Sequence, residues 1–214
     1  MLHATLARIL GLMLLLGVAA ASHGANAADK VSVEAFDAPR LARAIFEATN
    51  RVRAQLGLPA FRPLAKLDDA AETQARIGAL FRPPSHTNPF PMIATPMDRV
   101  KLTGLKPKFV AENIAMLALY DVPRGTGFYR LKGETILRDD KSGQPLREHT
   151  YESFAAAVVA AWMNSPGHRA NIVDTKLRYL GCSALPARSQ SEVDMIFAVQ
   201  VFFTPEGRER SAGR

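Results

Sequence analysis

Apolar residues first recur at helical spacing in Leu41, Ile45, Ala48, Val52 and Leu56, while Arg40, Arg43, Glu47 and Arg51 take the other faces. That period predicts an amphipathic helix over residues 38–56, with Asp37 as its cap, Pro39 in its first turn and Gly57 as its stop. A second helix is predicted from about Asp68; it buries Ala71, Ala75 and Ile77 or Gly78 and ends before Pro83-Pro84. Residues 85–94 read as loop from their Pro, Asn and Ser content. Thr95-Pro96-Met97-Asp98 then opens a short helix that Gly104 and Pro107 close. A strand is expected over residues 114–120.

The strongest helical signal is over residues 151–163, where Phe154, Val158 and Trp162 share a face and alanines permit close packing. Ser165-Pro166 restarts a helix through Ile172, with Ser165 as cap. A strand surrounds Gly181. The last strand, residues 193–203, is apolar on both faces and should be central and covered on both sides. Helices to either side of a few strands make this an α/β chain, a three-layer α-β-α sandwich in one domain over residues 38–205. Residues 121–150 break the pattern: they are polar and glycine-rich, and read as a loop and a small β-hairpin turning at Ser142-Gly143. This is an insertion within the domain, too short and polar for a core of its own. Residues 206–214 form a polar tail.

The start of the chain belongs to none of these elements. Arg8 precedes an apolar run from Ile9 to Leu16, extended through Val18 to Ala21, and small residues follow at Ala25-Asn26-Ala27. The run is too short to span a bilayer, so residues 1–27 read as a signal peptide cut after Ala27, leaving a secreted or periplasmic protein without a stable transmembrane anchor. Its removal lowers Lys+Arg from 27 to 26 against 20 Asp+Glu, changing the net charge from +7 to +6. A basic protein of this kind favours anionic envelope surfaces, but no Lys/Arg block with interleaved aromatics suggests nucleic acid. A single cysteine, Cys182, excludes an internal disulfide and reads as a buried, inert thiol.

Three stretches, taken in order, resemble the CAP (SCP-like) superfamily of plant pathogenesis-related proteins, venom antigen 5 and cysteine-rich secretory proteins. Asn50-Arg51-Val52-Arg53 through Gly57-Leu58 is similar to the opening element of the bacterial branch. Ala111-Glu112-Asn113-Ile114 is similar to the G-E-N-I/L signature, with Ala for Gly. Trp162-Met163-Asn164-Ser165-Pro166-Gly167-His168-Arg169-Ala170-Asn171-Ile172 resembles the bacterial W-M-N-S-P-G-H-R-x-N-I. The resemblance extends from Phe46 to Phe203 and implies a cleft lined by His86, Glu112 and His168. The family's second glutamate is replaced by Met163-Asn164-Ser165.

Two imidazoles and a carboxylate are also donors of the type that holds zinc or another divalent cation with positions open for water. His168 should occupy the third position of its helix, where the helix dipole opposes an imidazolium. Spacing alone favours a plainer reading, in which His168 caps its own turn, Glu112 holds the Asn113 loop and His86 is a surface residue. The resemblance instead brings the three to one cleft, with Asn113, Ser165 and Asn171 in support. Ser85 and Ser165 sit in no nucleophile elbow, which argues against a serine hydrolase. Three functions stay open. The incomplete acid set favours a non-enzymatic envelope protein whose cleft binds a lipid, glycan or peptide, with a divalent metal where the histidines take one. A metal-assisted hydrolase is the rival, and a structural or protein-interaction module is the third.

Overall fold

The computed structural model describes residues 29–81, 83–123, 125–134, 136–187 and 193–207; the expected signal segment and residues 208–214 of the tail lie outside these. Helix α1 (Ala38–Gln55) starts where expected: the Asp37 carboxylate accepts the Arg40 N–H at 2.9 Å, and proline occupies the first turn. Its buried face is Leu41, Ile45, Ala48, Thr49 and Arg53, whereas Leu56 is 46% exposed. Leu56 is the C-cap, one residue past the helix, and so is no longer held on its buried face. Arg53 is buried in its place. Its guanidinium donates to the carbonyls of Pro59, Ile172 and Asp174 and lies 3.9 Å from the Phe61 ring centroid.

The short strand β1 (Arg62–Pro63) leads into α2 (Ala65–Gly78), which begins ahead of the expected Asp68. Asp68 is no cap: its carboxylate reaches out of the helix to accept the Cys182 N–H at 2.9 Å. A turn of 3-10 helix at Pro91–Ile93 precedes α3 (Pro96–Leu102), where Thr95 and Asp98 form the reciprocal capping box the sequence suggests. Strand β2 (Pro107–Ala118) is longer than the expected strand and carries Glu112 and Asn113, polar residues that masked its period because their partners lie in other layers. Helices α4 (Tyr151–Met163) and α5 (Pro166–Val173) match expectation closely.

Strands β7 (Tyr179–Ala187) and β8 (Met195–Pro205) complete a four-stranded sheet of order β1-β7-β8-β2. β8 pairs antiparallel with both β7 and β2, which makes it central and explains its unbroken apolar sequence. Leu41, Phe154, Trp162 and Phe202 pack on the face covered by α1 and α4; Leu67, Ala71, Val100 and Phe197 pack on the face covered by α2 and α3. The α-β-α sandwich is the architecture. Cys182 is buried between the layers, and desolvation pushes its thiol well above the ordinary range.

Residues 120–148 stand outside this sheet. β3 (Tyr120–Asp121) pairs with β6 (Arg147–Glu148), and β4 (Phe128–Arg130) pairs with β5 (Leu137–Asp139). The β4–β5 hairpin turns between residues 131 and 136, with Gly133 at φ 87°, rather than at Ser142-Gly143. A second reversal does fall there: Gly143 has φ 68°, Asp139 donates to Gln144 O and Leu146 donates to Leu137 O. The Asp139 carboxylate accepts the N–H groups of Lys141 and Ser142, which holds it at a pKa of about 2. Among the described residues, no helix is long and apolar enough to cross a membrane.

Candidate functional site

Glu112 points from β2 towards the α2–α3 layer, where its side chain is 1% exposed. An isolated carboxylate would not survive there, and two groups meet it. Arg99 of α3, itself fully buried, donates to Oε2 at 2.7 Å. His86 Nδ1 lies 3.0 Å from Oε1. A carboxylate only accepts, so Nδ1 carries the proton and Nε2 is left for a ligand. The imidazole is 47% exposed, so one edge is anchored and the other faces solvent.

The loop bearing His86 is held from below. Arg99 donates to the carbonyls of His86, Ile93 and Ala94, and Gln74 of α2 donates to Ser85 O at 2.7 Å. Within the loop, Asn88 spans back to Ile93 and Ala94. A proline-rich segment thereby presents one histidine in one place.

His168 arrives from the other side of the sheet edge, on α5, with its ring centroid 6.4 Å from that of His86. Asn113 donates from β2 to His168 O at 3.1 Å and to Gln200 Oε1 at 3.0 Å, and Asn171 donates to Asn113 Oδ1 at 2.9 Å. Gln200 of β8 continues the chain by donating to Thr49 of α1. Asn113 and Asn171 thus brace the α5 turn against the central strands. Ser165 occupies the cap position of α5, but its side chain makes no capping bond; its carbonyl accepts from Arg169 N. The His168 pKa is lowered, first by burial and then by the proximity of His86, which favours the neutral ring.

The structure therefore brings His86, Glu112 and His168 together, with Asn113 and Asn171 beneath them. The donors do not fit a resident zinc. Both Glu112 oxygens are engaged, one by a guanidinium whose charge opposes any cation alongside it. Among the described residues, no group of three or more His, Cys, Asp or Glu is placed to hold a metal ion. What remains is two imidazoles, each with a ring nitrogen open to a ligand, beside an ion-paired carboxylate. Such a site donates and accepts hydrogen bonds.

Sequence reasoning missed Arg99, Gln74, Gln200 and Thr49. Each is a polar residue in a helix or strand whose local pattern looks ordinary. Only Arg99 carried a hint, because a capping box one residue upstream fixes the helix register that turns it inward.

The family model described as "Cysteine-rich secretory protein family" (CAP) matches residues 111–202, the span from the Glu112 signature through most of the last strand. No curated protein matches the chain. Among solved structures, an outer surface protein from Borrelia burgdorferi is similar with TM-score 0.51 and 18% identity, over 80% of this chain and 97% of that one. An extracellular protein containing a SCP domain from Bacillus anthracis is similar with TM-score 0.47 and 20% identity, over 78% of this chain and 41% of that one. A cysteine-rich secretory protein from Staphylococcus aureus gives TM-score 0.42 and 13% identity, over 78% of this chain and 39% of that one. The chain spans less than half the length of each of these last two proteins.

Proposed function

We propose, from the premise that this chain belongs to the CAP superfamily and carries a CAP domain of bacterial type, that it is a non-enzymatic binding protein of the cell envelope. Its cleft between His86 and His168 takes a polar glycan or peptide ligand. The observation that carries this reading is the state of Glu112, buried and ion-paired to Arg99 at 2.7 Å. A carboxylate so neutralised is a poor general base, and no second acid stands at Met163-Asn164-Ser165 to replace it. The two imidazoles keep the capacity to bind. An acyl chain would leave their ring nitrogens unpaired, which disfavours a lipid. The expected signal segment and a basic net charge support a place among anionic, glycan- and peptide-rich envelope material.

Calorimetry with solubilised fragments of envelope glycan and peptide tests this. Wild type should bind without turnover, and His168→Ala should lose about tenfold in affinity, as expected for one hydrogen-bonding partner. Cleavage of the fragments by wild type but not by Glu112→Gln would overturn it in favour of hydrolysis.

A further inference from the structure

β2 is the end strand of the sheet and is bonded to β8 on one side only. Leu119, one residue beyond it, donates to Asp194 O at 2.9 Å, and the groups facing a partner alternate along an antiparallel strand. Odd-numbered residues of β2 therefore face β8. The N–H and C=O groups of Ile114, Met116 and Ala118 point outward. Glu112 obeys the same parity, since its carbonyl accepts from the Asn171 side chain at 3.4 Å on the outer side. No side chain of the described residues bonds the outward groups of Ile114, Met116 or Ala118. The opposite sheet edge is partly covered: β1 covers the start of β7, Asp68 takes the Cys182 N–H, and Pro186 has none to offer.

Beside the open edge runs a groove of about 410 Å³ between β2 and the alanine face of α4, lined by Leu117, Ala118, Ala157, Ala160 and Ala161. Asp121, an acidic side chain, also lines it. Asn164, the C-cap of α4, lies where the groove approaches the turn into α5 and His168. On the same strand, Asn113 holds the His168 carbonyl at 3.1 Å.

We propose that this cleft receives the C-terminal segment of an extended peptide, which adds to the open edge of β2 as an antiparallel strand and rests its carboxylate against the histidines. This rests on the binding role proposed for His86 and His168 and narrows its ligand to a peptide. A sugar chain does not supply a donor and an acceptor at every second residue, spaced about 6.8 Å apart, and an extended peptide does. The charges set its direction. The His168 ring N–H stands at the Glu112 end of β2 and suits a carboxylate, while Asp121 beyond the other end suits a cationic side chain. Alanines in the groove wall select small side chains. From Ile114 to Ala118 the open edge accommodates about five residues.

The test uses the exported protein and a pool of synthetic hexapeptides with lysine first, alanine or valine at the four middle positions, and alanine last with a free carboxylate. Amide exchange at Ile114, Met116 and Ala118 should slow at least about tenfold, while Ala115 and Leu117, already bonded to β8, stay unchanged. Amidating the peptide terminus should weaken binding. Met116→Pro removes one outward N–H at an edge position that tolerates proline, and should weaken binding about tenfold. Ala157→Leu, which fills the groove, is the second variant and should do the same with its melting temperature retained. Histidine signals that shift without protection at Ile114, Met116 and Ala118 would overturn the edge-strand binding and leave the cleft role standing. No response at either place would overturn this peptide mode as well, and calorimetry with glycan fragments would then judge the cleft role by itself.

Discussion

Removing the Arg99 guanidinium would leave Glu112 buried without its countercharge, and would free the carbonyls of His86, Ile93 and Ala94 at the same time. Arg99→Met should therefore cost about 3–5 kcal/mol in urea unfolding, the range for breaking a buried ion pair from one side. The double variant with Glu112→Gln should recover part of that loss, because the uncompensated charge goes with it. Additive losses would mean that the two side chains do not share one interaction. A second residue reports through pH. His149 is 5% exposed, and burial lowers its pKa below the ordinary 6.5, with Asp121 acting weakly the other way. Between those two values the unfolded chain binds more protons than the folded one. Stability from this group is therefore complete above pH 6.5 and falls as pH drops through the lowered value. His149→Gln should flatten that part of the stability profile; an unchanged slope would place the titration elsewhere.

Elements were legible in the sequence where a cap and a period agreed. α1 and α3 carry Asp37 and Thr95 at their starts, and in α4 the apolar stripe of Phe154, Val158 and Trp162 is buried as its period implies. α2 was placed late because its cap position holds Leu64, which makes no side-chain capping bond, and Asp68 bonds Cys182 across a layer, a contact that no local pattern records. β2 was shortened for a related reason: Glu112 and Asn113 are satisfied by Arg99, Gln200 and Asn171, all distant in sequence. His86, Glu112 and His168 were named through resemblance to a family, while their supports were invisible because buried polar residues on helices read as surface ones. The insertion makes a prediction at this scale. Its strands pair with each other, and Asp139 caps its tight reversal with a carboxylate already ionised above about pH 2. Replacing residues 125–146 by a short glycine linker leaves both core clusters in place, and closure entropy varies slowly with loop length. A cooperative melt within a few degrees of wild type is expected; an insoluble product would make the insertion part of the core.

Across the whole molecule, the cleft exists because two layers clamp one sheet edge, and that clamp depends on close approach. A Cβ on Gly181 would lie 2.3 Å from the Leu67 backbone carbon, and one on Gly78 would lie 2.2 Å from the Phe197 ring. Both substitutions by alanine should destabilise by about 1–3 kcal/mol. Gly181→Ala should be the worse, since helix backbone yields less than a ring. Equal melting temperatures for both variants and wild type would show that α2 sits farther from the sheet. The layers leave His86 and His168 facing one another, while the His149 ring is bonded to Ser153. Side-chain nitrogen NMR of the three histidines during titration with solubilised envelope glycan and peptide fragments reads the binding claim at its own atoms. His86 should show an Nδ1-protonated ring that shifts at Nε2 together with His168. Saturable binding of the fragments that leaves both His86 and His168 unmoved would contradict the cleft.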